Sequence, residues 1–442
     1  MPRTLIRNAQ IVTMDDAIGD IARGDILVED GTIRRIGSTI EAGDADVIDA
    51  SNMVALPGMI EAHNCVWQTV LRGYVPNLWA GTYFPNLLPL RTKFAAEDNY
   101  NATYVGAYET MSYGATTLVD YCHNVRGPGF AEASLAALRE TGIRHVFTHS
   151  FMNAAPDLFA GDDHRYRYAE DIYRAFHDPD SLTTINFGIE SFGAKDCERQ
   201  IAFARRFNAP SCIHVNDAND IAQLAKRNLL GSDLLAIHGN LITNDELAMM
   251  AEADMPLCFT PSADVQGTPA DVVRRARDRG VRVVFGSDVP CHVAADTLGQ
   301  LRAMFYVQGY LDGAMERSFS SVTTRRPTVR PGMPLLTPRD LLRSATIEAA
   351  KVFGLDDRIG SLTPGKRADI LLVNKGPFGD SIDPDACAHV LLQTSPRDID
   401  TVIVDGQVRM AAGVLKGFDA ERAKALMAES RARILGGVIP VE

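Results

Sequence analysis

The chain has 442 residues, of which 46% are apolar and 23% charged, an ordinary balance for a globular protein with a large buried core. A net charge of -12 with no lysine- or arginine-rich block argues against a nucleic-acid or anionic-membrane binder. No apolar run is long enough to span a bilayer, no signal-peptide pattern opens the chain, and seven cysteines lack paired spacing, so a cytoplasmic enzyme with reduced thiols is expected.

Short alternating segments come first, over 4–12 and 24–31. Glu29-Asp30-Gly31 followed by 32–36 is a hairpin signal, because Asp-Gly supplies the positive-φ turn. Similar strands return at 368–373 and 400–408. Two β-rich ends around a different interior predict one small sheet domain built from both termini, residues 1–56 plus 362–415. The interior, 57–361, is then a separate unit, and 416–442 is a helical extension.

Within that interior, strand-like segments at 54–63, 115–122, 143–150, 183–190, 210–215, 233–238, 255–260 and 281–288 alternate with helical stretches. The helix over 244–251 has Asn244 as its expected N-cap. Eight alternations predict an α/β fold, a parallel (β/α)8 TIM barrel. A doubly wound open sheet competes, but no glycine-rich nucleotide loop follows any strand. Barrel enzymes place their chemistry at the C-terminal ends of strands. His63, His123, His214, His238 and Asp288 all fall there. Side chains two apart on a strand share a face, so His63 and Cys65 point into one space, and both residue types bind borderline metals.

The pattern Glu29 to Gly37, the entry Leu56-Pro57-Gly58, the stretch Arg358 to Asn374 and the segments around His238 and Asp288 together resemble the amidohydrolase superfamily, in its cytosine deaminase-like and triazine hydrolase-like branch. The resemblance covers nearly the whole chain. It implies a (β/α)8 barrel with a small β-sandwich and one divalent ion, expected to be zinc, held at the positions of His63, Cys65, His214 and Asp288. It implies that His238 orients water or substrate, and that Asp217 occupies the place of a proton-shuttling glutamate. Two departures fall on chemistry: cysteine for the second histidine of the usual pair, and aspartate for glutamate. The family is commonly oligomeric, so a homo-oligomer acting on a small molecule is expected.

A metal ion with an open position lowers the pKa of its water from about 15.7 toward 7, which makes an attacking hydroxide. Asp288 is the expected base, His238 the group that steadies the tetrahedral centre, and Asp217 the acid for the leaving nitrogen. The expected activity is hydrolysis of a C–N bond in a small cyclic or heteroaromatic compound. Thiolate also binds zinc, at ~2.3 Å against ~2.0 Å for imidazole, and favours it over harder ions. If Cys65 is instead only a buried residue, His63, His214, His238 and Asp288 form a metal-independent acid–base cluster suited to a lyase, hydratase or isomerase.

Trp67, Gln68, Tyr121 and His123 are the expected substrate contacts, since aromatic walls at a barrel mouth suit a planar ring. Trp79 lies in the same aromatic segment. Asp120 reads as structural, His149 as a pocket candidate, His145 as packing, and His292 as a solvated loop histidine. His164, His177, His389 and Lys195 read as surface residues.

Overall fold

Pro57-Gly58 splits what reads as one strand over 54–63 into two elements that belong to different sheets. The computed structural model describes residues 3–75, 83–152, 157–190, 196–266, 271–317, 336–377 and 385–436. Five strands come from the N-terminal end: β1 (Arg3–Ile11), β2 (Ile21–Glu29), β3 (Thr32–Gly37), β4 (Asp46–Asp49) and β5 (Met53–Pro57). The barrel begins with β6 (Met59–Asn64). A Cβ at Gly58 would lie 2.1 Å from Thr116 Oγ1, so only glycine fits where the chain passes from one sheet to the other.

After β6 the barrel runs through β7 (Ala115–Cys122), β8 (Arg144–Ser150), β9 (Thr183–Ile189), β10 (Ser211–Val215), β11 (Leu234–His238), β12 (Leu257–Phe259) and β13 (Val283–Phe285). Neighbours pair in parallel in chain order. Nearly every strand residue is buried, because helices cover the outer face and side chains fill the inner one. Closure occurs between the ends of β6 and the segment after β13. There Asn64 bridges Asp288, Asp288 N–H donates to the His63 carbonyl at 2.9 Å, and Cys65 N–H donates to the Asp288 carbonyl at 2.6 Å. A Cβ on Gly286 would meet the His63 carbonyl oxygen at 2.5 Å. Glycine there lets the last strand approach the first closely enough to close the ring.

Four strands from the other end complete the small unit: β14 (Ile370–Asn374), β15 (Ile399–Val404), β16 (Gln407–Ala411) and β17 (Val414–Leu415). The path runs β17-β16-β15-β14-β5-β1-β2-β3, with β4 on β1. The two chain ends meet where β5 pairs antiparallel with β14. A bridge from Thr32 to Arg367 folds the far edge back, enclosing a core of Ile6, Ile26, Ile33, Ile370, Leu372 and Ile403. Asp30 and Gly31 take φ of 51° and 74°, as the hairpin reading expects. The helix Ala420–Leu435 lies on the helix Ala96–Ser112, with Asn101 Nδ2 donating to Ser430 Oγ at 3.0 Å. The helix Asn244–Glu252 is capped one residue earlier than expected, by Thr243, whose hydroxyl accepts the Glu246 N–H while Glu246 reaches back. No helix among the described residues is long and apolar enough to cross a membrane.

Arg144, at the start of β8, fastens the barrel floor to the small sheet. Its guanidinium donates to Asp369 at 2.7 and 3.0 Å and to Asp405 at 3.0 Å, with the Arg144 and Asp369 side chains only 6% and 2% exposed. Loss of one partner from a buried pair leaves a desolvated charge without its counterion. Arg144→Met is therefore expected to lower unfolding stability by about 3–5 kcal/mol. Urea denaturation checks this, and an unchanged midpoint would show that the pair does not hold the two units together.

Candidate metal centre and active site

Barrel closure brings three donors from two separate stretches of chain to one point. His63 Nε2 lies 3.2 Å from Asp288 Oδ1, and Cys65 Sγ lies 3.7 Å from that oxygen and 3.9 Å from His63 Nε2. His214 and His238 stand beside them, their rings 5.5 and 6.0 Å from that of His63 and 5.2 Å from each other. Donor atoms of His63, Cys65 and Asp288 lie within 4.8 Å of one another, as do those of His63, His214 and His238. His238 and Asp288 both adopt positive φ, 74° and 64°. Non-glycine residues avoid this region, and strain of this kind concentrates at functional sites.

The chemistry of the set follows from its burial. Burial works to raise the Asp288 carboxyl, yet the hydrogen bond from His63 and the charge of His238 hold it well below its ordinary value. Burial depresses His63 and His214, leaving both imidazoles neutral and free to act as ligands. The Cys65 thiol is pushed well above its ordinary value by burial and then by the Asp288 charge. A thiolate there requires a compensating cation.

Two further carboxylates organise the site, and neither was anticipated from the sequence. Asp264 Oδ1 lies 3.0 Å from His238 Nδ1, while its Oδ2 accepts the Thr260 N–H and hydroxyl at 2.7 and 2.9 Å. Burial pulls His238 down, but the charge and hydrogen bond of Asp264, with Asp288 adding, push it up to about 9. Glu61, fully buried on β6, accepts from Ser287 N–H, Ser287 Oγ and Thr297 Oγ1 at 2.6, 3.1 and 2.9 Å. It thereby fixes the residue next to Asp288. A carboxylate inside an apolar strand was the sequence signal for Glu61; Asp264 had no local signal.

The expected site residues divide. Tyr121 is fully buried with its ring 5.0 Å from His63 and 4.7 Å from His214, so it floors the histidine cluster. His123 is buried against Trp67, ring centroids 5.1 Å apart, and lies 3.5 Å from Gln68 Nε2. Gln68 in turn donates to the Tyr83 hydroxyl at 2.7 Å, a contact the sequence did not suggest. Trp67 has no exposed surface and packs on Phe94, so it backs His123 rather than standing free in the mouth. Asp217 is not gathered into the cluster: it is exposed on the loop after β10, where its N–H donates to Asp220. That loop turns outward through Asn219, at φ 72°.

Other histidines need correction. His292 is no free loop residue; its Nδ1 lies 3.3 Å from the Val75 carbonyl and its Nε2 2.8 Å from Gln266 Nε2, tying two loops together. His149 faces outward among Phe151, Tyr168 and Phe187 rather than lining a pocket. His145 is packed, as expected, and Asp120 is fully buried, its carboxyl pushed up to about 8 by burial. His164, His177 and His389 are half-buried. Trp79 and Lys195 lie outside the described residues.

The donor set fits a divalent ion. Two donors each about 2.0 Å from one tetrahedral ion sit roughly 3.3 Å apart, and a sulfur–nitrogen pair roughly 3.5 Å apart. The observed 3.2, 3.7 and 3.9 Å are close to those spacings. His63 Nδ1 and His214 Nδ1, the ring nitrogens opposite Nε2, are buried without hydrogen-bond partners among the described residues.

Comparison with known proteins agrees with this geometry. The sequence profile of the amidohydrolase family matches residues 54–409, most of the chain. The chain belongs to the amidohydrolase family. Its relatives include a 5-methylthioadenosine/S-adenosylhomocysteine deaminase of Symbiobacterium thermophilum, 26% identical over 92% of this chain and 93% of that protein. A 5'-deoxyadenosine deaminase of Methanosarcina mazei is 24% identical over 93% of each. Among solved structures, a zinc-bound adenosine deaminase from Xanthomonas campestris has a TM-score of 0.84 at 18% identity, covering 98% of both chains. The atrazine chlorohydrolase of Arthrobacter aurescens TC1, complexed with zinc and atraton, has a TM-score of 0.77 at 22% identity over 98% and 100%. The structural matches establish the fold; the family bears out an amidohydrolase-type hydrolase of non-peptide C–N bonds.

Asp264 gives a pH-dependent signature in chelator-treated protein. The folded-state value of His238, about 9, exceeds its ordinary 6.5. The ion pair therefore stabilises fully below pH 6.5, and that stabilisation is lost as pH rises through 9. Asp264→Asn should lose on the order of 1–3 kcal/mol at pH 6 and much less at pH 10. Denaturation at the two pH values measures it, and an equal loss at both would show that His238 is not charged by Asp264.

Proposed function

We propose that the protein is a zinc-dependent hydrolase that releases an amine from an sp² carbon of a small heteroaromatic compound. The convergence of His63, Cys65 and Asp288 at 3.2–3.9 Å, in a chain of the amidohydrolase family, carries this reading. The named activities of its relatives, deaminases of 5-methylthioadenosine, S-adenosylhomocysteine and 5'-deoxyadenosine, suggest the reaction type. His63, Cys65, His214 and Asp288 would hold the ion. Bound there, zinc acidifies water and polarises the attacked bond. Cysteine in place of histidine favours zinc over magnesium or calcium.

The chain's own groups then divide the proton work. Asp288 remains a carboxylate, and its contacts among the described residues fall on Oδ1. Oδ2 is left to take the proton of the attacking water and return it to the leaving nitrogen. Asp217, exposed on its loop, is not needed for that transfer. Asp264 holds Nδ1 of His238, which leaves Nε2 to donate toward negative charge developing at the attacked carbon. Tyr121 and the barrel wall keep bulk water from the cluster.

Elemental analysis of protein purified without chelator should find about one zinc per chain. Cys65→Ser should weaken zinc binding by more than the roughly 10–100-fold that loss of an outer partner costs. In cobalt-substituted protein the same change should abolish thiolate charge-transfer absorption. Asp288→Asn should abolish ammonia release from a panel of amino-purines, amino-pyrimidines and amino-triazines. Full turnover in metal-free protein would overturn the reading and favour metal-independent acid–base chemistry.

A further inference from the structure

Four arginines are buried among the described residues: Arg91, Arg126, Arg144 and Arg165. Three have evident counterparts. Arg144 pairs with Asp369 and Asp405, and Arg165 pairs with Asp157. Arg126 donates through Nη1 to the carbonyls of Arg91, Thr92 and Phe94 at 2.9, 3.0 and 3.0 Å.

Arg91 differs. Among the described residues its one hydrogen bond runs from Nη2 to the His123 carbonyl, its Nε is buried without a partner, and no carboxylate pairs with it. Burial, with the like charge of Arg126 adding, lowers Arg91 to about 10, so it remains a cation at neutral pH. A buried charge without its counterion is costly, and native sites rarely retain one without use.

Its place explains the use. The guanidinium lies 6.0 Å from the Trp67 ring centroid and bonds the backbone of His123, whose side chain neighbours Gln68. Tyr83, half-buried and bonded to Gln68, lies within reach of the Arg91 charge. Burial, followed by the Arg91 charge, pushes His123 well below its ordinary value, so the imidazole stays neutral. Among the described residues, the wall beside the metal centre thus holds one fixed cation among a neutral imidazole, an amide and a phenol, with an indole behind them. An imidazole suits a planar ring, and a guanidinium suits the planar fork of a carboxylate.

We infer that Arg91 anchors a carboxylate carried by the substrate's ring, so that the compound taken by this site is an anionic heteroaromatic amine. A single cation matches a monoanion better than a phosphate dianion. The assignment rests on the proposed hydrolysis only for where the ring reacts; the anchor itself is a binding claim.

Calorimetry with the zinc-loaded protein tests it without turnover. The probes are nicotinate against nicotinamide and pyrazine-2-carboxylate against pyrazinamide. The wild type should bind each acid about tenfold or more tighter than its amide. Arg91→Gln should erase that preference while leaving amide affinity within about twofold, and Arg91→Lys should keep part of it. Equal affinity for acids and amides in the wild type overturns the inference however the variants fold. A preference that survives R91Q belongs to the metal ion and also overturns it. Should R91Q not fold, acid affinity unchanged in R91K decides against the anchor. Ammonia release is scored separately, so failed hydrolysis with intact acid preference condemns the reaction and spares the anchor.

Discussion

The centre exists because the first and last strands of the barrel meet. His63 and Cys65 arrive on one strand end and Asp288 on another, and backbone hydrogen bonds between them set their separation before any side chain acts. Gly286 permits the approach, and Glu61, deep in the same seam, secures Ser287 from below. A ligand set built on a closing seam of hydrogen-bonded backbone has little freedom to drift. That rigidity holds the three buried donors within 3.2–3.9 Å of one another.

Around this seam the electrostatics are graded. Asp288 is held ionised by neighbouring imidazoles, His63 and His214 are kept neutral by burial, and His238 is driven toward its charged form by Asp264. Environments that push like groups apart assign their roles. Cys65 fits the series as the one group that needs a cation to ionise, so its chemistry is conditional on the ion it would help to hold.

Much of the scaffold was legible because period and punctuation are local properties. Alternation placed the eight barrel strands within a few residues, and Asp30-Gly31 announced its hairpin. The error at 54–63 came from reading one apolar run as one strand, when the Thr116 side chain behind Gly58 and the β14 pairing of β5 divide it. The strand-end histidines were visible for the same reason. Partnerships were not. Asp264 meets His238 only because the turn after β12 folds back over β11, and Arg91 is conspicuous only once no carboxylate among the described residues is seen to pair with it. Asp217, given the place of a proton-shuttling glutamate by the family resemblance alone, lies exposed on its loop.

The pairing of β5 with β14 ties an early segment to a late one across the whole barrel. During synthesis the edge at Met53–Pro57 waits for Ile370–Asn374 to emerge, so the small sheet cannot finish until the whole interior has been made. Such long-range pairing slows folding and leaves an unpaired edge open to wrong neighbours. Expression yield should therefore respond more to chaperone supply and growth temperature than to changes in helix propensity on the outer layer.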